Sequence, residues 1–310
     1  MYRRGRNTGT VVVRWDASGK QEPLLNTPAI YITPRVSPDG KRLAVVDVAD
    51  PKGRILIHDL ARGVTNPLTL DSRGQTNPVW TPDGQSLIYR SGNATLMVRA
   101  DGGGQPETLP LDPKYWVYRF SHDGKLVVGN FQVSDNDWDV WVAPVEQNGG
   151  RVRIGTPFTV AGVPAHQDNP AFSPDGRFIV YMSNEDGPYK VYVASLTLDG
   201  HAAGGKWQIS SGAAYDPYWP DRGPIFFQDK TSHTVSVRYT IHGGSFVYEP
   251  PRPWGPGRLS YYSAPKADAM PDGKQVIAVV DADAGAPETH LRAVLNFGDE
   301  IRRRLAGANK

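Results

Sequence analysis

One tetrapeptide constrains this chain more than any other feature. Ser37-Pro38-Asp39-Gly40 recurs as Thr81-Pro82-Asp83-Gly84, Ser121-His122-Asp123-Gly124 and Ser173-Pro174-Asp175-Gly176. Worn copies follow at Trp219-Pro220-Asp221-Arg222-Gly223 and Met270-Pro271-Asp272-Gly273. Successive copies begin 44, 40, 52, 46 and 51 residues apart. A period of about 40 to 50 residues with strand-like content is the length of one four-stranded propeller blade.

The surroundings of each copy repeat as well. A short strand precedes the turn (NPVW, NPAF, DPYW), and a β-rich run follows it (KRLAVVDV, QSLIYRS, KLVVGNF, RFIVYMS, PIFFQD, KQVIAVVD). A third run comes after a loop: RILIHDLA, TLMVRA, DVWVAPV, KVYVASL, TVSVRYT and LRAVLNF. Weaker fourth strands are VTNPLTL, PETLPL and KWQIS. Their β-branched and aromatic enrichment between turn residues identifies strands. In the turn, proline presets φ, aspartate caps its own loop and glycine takes the positive φ that other residues resist. Asp39, Asp83, Asp123, Asp175 and Asp272 are therefore read as scaffold, since a functional site would not recur in every blade.

These repeats predict an all-β chain forming a single propeller of six four-stranded blades, over residues 1–297. The tail, 298–310, is expected to be a short helix or disordered. A ring must close, because an unpaired terminal strand leaves an exposed edge. The sixth copy has three strands in reach, ending at LRAVLNF, and TVVVRWD near the N-terminus lacks a turn of its own and can pair with that blade. A further strand in MYRRG would raise the count to seven.

Composition narrows the partners. The chain has 310 residues and a net charge of +2, without the concentrated basic face that nucleic-acid binding requires. No apolar run approaches the roughly 18 residues of a spanning helix. There is no cysteine, which excludes disulfide and thiolate chemistry. MYRRGRNTGT has a basic stretch with no apolar region behind it, so it does not read as a secretory signal. That leaves a cytoplasmic protein or a domain cut from a longer chain. A monomer is the expected state.

In a propeller, the link between blades crosses one face and ends at the channel mouth, just ahead of each inner strand. Those segments supply the candidate ligand-binding residues Tyr31, Asn77, Trp116, His166, Asp168, Tyr215, Asp216 and Tyr261. They form an aromatic and polar set with carboxylates and almost no cations. Such side chains suit a concave site for a protein segment, a peptide or a small polar ligand. No GxSxG elbow, HExxH helix or phosphate loop occurs. His242-Gly243-Gly244 is better explained by a hairpin turn than by an oxyanion hole. The seven histidines are dispersed, and only His166 falls where it can reach the channel. Asp135, Asn136, Asp137 and Asp139 make a small acidic cluster that could hold a calcium ion through oxygens, but Trp138, Val140 and Trp141 alternate with it as in an ordinary strand entrance. No cofactor and no metal is expected.

The pattern NP-x-[FW]-SPDG followed by R-x-[IL]-x-Y-x-S resembles the TolB-like β-propeller repeats. Nearly the whole chain takes part, from VVVRWDASGKQEPL through AFSPDGRFIVYMSNEDG to HLRAVLNFGDEIRRRL. Within that family it looks like the propellers that follow a Ser/Thr kinase domain in large acidobacterial proteins. The kinase Gly-rich loop, HRD and DFG segments do not occur in this sequence. The resemblance implies a recognition or regulatory domain working outside the cytoplasm. The leading expectation is a non-catalytic binding scaffold. The alternative is a carbohydrate-active hydrolase or lyase, with Asp168 and Asp216 as acid and base across the channel. An interaction through the outer rim is a third.

Overall fold

The computed structural model describes residues 9–49, 53–68, 74–148, 151–242, 244–260 and 265–282. It is an all-β propeller of six blades, with no helix among the described residues. Blade 1 comprises Tyr31–Val36, Arg42–Asp47, Arg54–Asp59 and Val64–Pro67, from the channel outward. Blade 2 is Gln75–Trp80, Ser86–Ser91, Ala94–Arg99 and Glu107–Thr108. In blade 3, Tyr115–Phe120 and Leu126–Ser134 lead to the long strand Asp137–Asn148, whose outer edge is shared by Arg151–Ile154 and Phe158–Ala161. Blade 4 is Gln167–Phe172, Phe178–Ser183, Lys190–Leu196 and Ala202–Gln208. Blade 5 is Ala214–Tyr218, Ile225–Asp229, His233–Val237 and Arg252–Arg258. A hairpin, Tyr239–His242 with Ser245–Tyr248, interrupts blade 5 where TVSVRYT reads as one strand; its turn holds the Gly244 of the HGG segment at φ 91°.

Ring closure follows the expected pairing with one correction. Blade 6 starts with Ala267–Ala269 and Gln275–Asp281, and Thr10–Asp16 pairs antiparallel along the whole of Gln275–Asp281, with Val13 opposite Ala278. Gln21–Ala29 then forms the outer strand. The third place in this blade thus belongs to TVVVRWD rather than to LRAVLNF, and the N-terminal region contributes two strands without adding a seventh blade. LRAVLNF, MYRRG and the tail 298–310 lie outside the described residues.

The core explains why the second and third strands are near-continuous apolar runs rather than alternating ones. Each blade is covered on both faces, so successive side chains enter opposite junctions. Leu43 and Val45 pack toward blade 6, while Ala44 and Val46 pack toward blade 2. Among the described residues, six apolar clusters occupy the six junctions between neighbouring blades. Each fully buried aliphatic side chain contributes about 1.5–3 kcal/mol.

The turns behave as their residues dictate. The Ser37 hydroxyl donates to Asp39 Oδ1 at 2.5 Å, the Lys41 N–H donates to the same oxygen at 3.1 Å, and Gly40 sits at φ 68°. Neighbouring turns brace one another: Arg42 Nη2 donates to the Gly84 carbonyl at 2.7 Å.

Candidate functional site

The inner strands share a break that determines what lines the channel. In blades 1, 2, 4 and 5 a residue at positive φ precedes a proline: Thr33 (48°), Asn77 (53°), Asn169 (51°) and Asp216 (48°). The ladder register slips at each of these steps, as it must where proline offers no N–H. Blade 3 has the same slip between Val117 and Arg119, but the proline's place is taken by Tyr118. That phenol projects into the channel, where blades 1, 2, 4 and 5 have only a pyrrolidine ring at the same position.

Ahead of the break, at the mouth end, stands an equivalent residue five places before each turn, or four before Trp219 in blade 5, where the worn turn is offset by one. This column reads Ile32, Thr76, Trp116, Asp168, Tyr215 and Pro265. Three of the expected site residues lie in it, and His166 is joined to them by Trp138, at the start of the long strand of blade 3, and by Tyr189, from the loop before Lys190–Leu196. Trp116 meets Trp138 edge-on at 6.1 Å, Trp138 meets His166 at 5.8 Å, His166 meets Tyr189 at 5.7 Å, and Tyr189 meets Tyr215 at 5.8 Å. The result is a continuous aromatic arc over blades 3, 4 and 5. Arg90 lies 4.8 Å over the Trp116 ring, a cation–π contact that holds one end of the arc. Main-chain contacts hold the middle: the Trp138 N–H donates to the Ala165 carbonyl at 3.1 Å, and Trp138 bridges to His166. Within blade 3, Gly129 lets the main chain at Trp116 lie close against the next strand, since a Cβ there would collide with the Trp116 carbonyl.

Polar groups sit just under the arc. The Tyr189 hydroxyl lies 2.5 Å from His166 Nδ1, and His166 Nε2 lies 3.8 Å from Asp168 Oδ2. The Asp168 side chain is 21% exposed, and burial raises its carboxyl above the ordinary range even though the Asn169 N–H donates to it at 2.7 Å. Asp216 is more enclosed. Asn169 Nδ2 donates to its Oδ1 at 2.7 Å and Gln228 Nε2 to its Oδ2 at 3.0 Å. Burial pushes its carboxyl up to about 6; Lys266 opposes the shift and Asp168 reinforces it.

Below this layer the channel narrows to a waist. Arg119 of blade 3 reaches across the ring to Asp268 of blade 6, donating from Nη2 to Oδ1 at 2.7 Å and from Nη1 to Oδ2 at 3.3 Å. The space above the pair holds only about 10 Å³, lined by Arg35, Tyr118 and Asp216 among others. Below it, toward the turns, lies a funnel of about 180 Å³. The waist thus lies between the mouth and the funnel.

The TolB beta propeller domain family matches residues 3–222, more than half of the chain. The chain belongs to that family. This TolB-type propeller is 28% identical over 215 residues to the uncharacterized peptidase YuxL of Bacillus subtilis, covering 54% of this chain and 32% of that protein. It is also 28% identical over 155 residues to the uncharacterized protein Atu1656 of Agrobacterium fabrum, covering 47% of this chain and 52% of the relative. The chain thus spans between about a third and about half of these curated relatives. Among solved structures, a TolB candidate from Agrobacterium tumefaciens superposes with a TM-score of 0.63 at 18% identity, over 88% of this chain and 98% of that one. That likeness is one of fold.

Within the TolB-type ring, Trp116, His166, Asp168 and Tyr215 come together as the arc and its carboxylate. Tyr31 does not join them. It is one residue off the mouth column, so its ring turns into the junction between blades 6 and 1, where its hydroxyl donates to the Thr27 carbonyl at 3.1 Å. Asn77 is buried at the strand break, and its Nδ2 donates to the Val117 carbonyl of the next blade at 2.6 Å. Tyr261 lies outside the described residues. Asp168 and Asp216 stand on neighbouring blades rather than across the channel from each other. Cations stand below the mouth, where Arg35, Arg119 and Lys266 line the waist or face its carboxylates.

Sequence reasoning missed Trp138, Tyr189, Tyr118, Arg35, Arg119 and Asp268. A signal for the last three was present. Two places before the turn, or one in blade 5 where the worn turn is offset, the blades read Arg35, Val79, Arg119, Ala171, Tyr218 and Asp268. Charge at three blades of an otherwise apolar inner column marks the waist.

Proposed function

We propose that this TolB-type propeller is a non-catalytic binding module, and that the arc of blades 3 to 5 recognises a protein segment, a peptide or a small polar ligand. The observation that carries this reading is the unbroken contact from Trp116 through Trp138, His166 and Tyr189 to Tyr215. These side chains remain partly exposed, whereas the aromatics that serve packing, such as Tyr89, Trp141 and Tyr181, are fully buried. Rigid rings with polar tips give large contact area at low entropic cost. Work within a longer polypeptide fits the partial coverage of the curated relatives.

The test is a screen of immobilised peptides and glycans against wild type, Trp116→Ala and Trp138→Ala. Hits should be lost in both variants while each melts within a few degrees of wild type. Unchanged binding, or variants that only unfold, would remove the arc from the reading.

A carbohydrate-active enzyme is the second reading, favoured by the raised carboxyls of Asp168 and Asp216. A buried acid near 6 suits general-acid chemistry. Against this, both oxygens of Asp216 already accept hydrogen bonds from Asn169 and Gln228. Turnover of a polysaccharide or lactone that vanishes in Asp168→Asn would reverse the order of the two.

A further inference from the structure

The funnel on the turn face plays no part in the proposed recognition at the mouth. Its floor is the Arg119–Asp268 pair, and Arg35 lies beside that pair, lining both the waist and the funnel. Arg35 is only 4% exposed. A guanidinium carries five N–H donors. Here Nη1 donates to the Pro34 carbonyl at 3.2 Å, while Nε is buried with no partner.

The nearby carboxylates are committed elsewhere. Asp268 accepts from both Arg119 Nη atoms and from the N–H groups of Val36 and Ala269. Asp216, on the mouth side of the waist, is held by Asn169 and Gln228. Asp221 at the funnel rim pairs with His122 at 3.2 Å. Burial, reinforced by repulsion from Arg119 and only partly opposed by Asp268, Tyr118 and Asp216, holds Arg35 down at about 10. Such a cation is costly to keep in a fold unless something arrives to pair with it.

We propose that Arg35 anchors a second binding site, which takes a small monocarboxylate with an apolar body entering from the turn face. The forked donors of a guanidinium match a carboxylate. At the floor, two guanidiniums share the single carboxylate of Asp268, and both of its oxygens are already taken by Arg119, so the open donors are those of Arg35. The walls supply the apolar part: Val36, Trp80, Phe120, Phe172 and Trp219 line the funnel. Trp80 Nε1 donates to the Arg35 carbonyl at 2.9 Å, so an indole that reports on the site is tied to its anchor.

The experiment titrates the full chain with phenylacetate and with phenylacetamide, its uncharged analogue, read by calorimetry and tryptophan fluorescence. The acid should bind, and the amide should bind at least about tenfold more weakly, as the loss of a charge-assisted hydrogen bond predicts. Arg35→Gln should weaken phenylacetate by a similar factor, yet melt no lower than wild type without ligand, because it removes an unpaired buried cation. If that variant does not fold, ¹⁵N-labelled arginine in wild type decides instead: one buried Nε–H resonance should shift with the acid and not with the amide. Equal binding of acid and amide, no binding of the acid, or full binding by Arg35→Gln overturns the proposal. A peptide ending in a free phenylalanine carboxylate, run alongside its amidated form, separates a chain end from a free acid as the source of the group. Trp138→Ala at the mouth should leave phenylacetate binding intact, so the two sites stand or fall separately.

Discussion

The two ends of the inner strands solve opposite electrostatic problems. At the turn end, the hydroxyls of Ser37, Thr81, Ser121 and Ser173 donate to Asp39, Asp83, Asp123 and Asp175 at 2.5 to 2.7 Å. Burial works against ionisation of Asp39, Asp123 and Asp175. Hydrogen bonds from the hydroxyl and from the following N–H groups outweigh it, leaving those carboxyls below their ordinary range. At the mouth end, burial of Asp168 and Asp216 is not offset, and both carboxyls rise. The turn carboxylates are thus stabilised by the fold, whereas Asp168 and Asp216 at the mouth are held at its expense. A side chain that the fold must tolerate, rather than use, is the better candidate for function.

The waist between these ends gives the sharpest way to break the comparison. Asp268→Ala would leave Arg119 and Arg35 facing each other with no anion between them. Removing one partner of a buried pair costs about 3–5 kcal/mol. Urea denaturation should show a loss of that size in Asp268→Ala. A loss below about 1 kcal/mol, the value of a solvated surface pair, would mean that the waist is wet and that mouth and funnel are one cavity.

Somewhat smaller is the pH effect of Asp216. Its folded pKa, about 6, lies above the ordinary aspartate value of 3.8. The native state therefore holds a proton that the unfolded chain has released. Stability from this group is complete below about pH 4 and is lost as pH rises through about 6, by about 3 kcal/mol in all. The turn carboxylates act in the reverse sense, losing their contribution as pH falls below their ordinary range. Stability measured from pH 4 to 7 should decline in wild type and decline less in Asp216→Asn, with Asp168 supplying part of what remains. An identical slope in the variant would show that Asp216 is solvated in the native state.

The same contrast explains what was legible in the sequence. The turns were legible because serine, proline, aspartate and glycine each act within four residues, and six copies make the period plain. Closure by TVVVRWD was legible from the absence of a turn beside it. The arc was legible only in part. Trp116, Asp168 and Tyr215 share a column set by the turn, but Trp138 and Tyr189 come from around the start of a third strand, after connections whose lengths differ between blades. Tyr31 illustrates the cost of ignoring parity: one step along a strand sends a side chain to the other face. The strand break then overrides parity, which placed Asn77 and Asp216 in inter-blade bonds. The Arg119–Asp268 pair joins residues 149 apart in sequence and depends on six blades bringing the third opposite the sixth.

The smallest predicted effect concerns the break itself, where one position carries different residues. Thr33 and Asn77 both sit near φ 50°, a conformation that costs a non-glycine residue about 1–2 kcal/mol and is worst for a β-branched one. Thr33 gains nothing from its side chain there, since its hydroxyl is buried without a partner, and its N–H already donates to the Pro265 carbonyl. Asn77 is compensated by its bond to the Val117 carbonyl. Glycine should therefore act in opposite directions at equivalent positions. Thr33→Gly should gain up to about 1 kcal/mol, because relief of strain and of an unsatisfied hydroxyl exceeds the entropy added to the unfolded chain. Asn77→Gly should lose about 1 kcal/mol, because the inter-blade bond goes with the side chain. Paired urea midpoints decide it. Two changes of the same sign would mean that the break is governed by the backbone alone, and that the side chains at this column are as free to serve the mouth as Trp116 is.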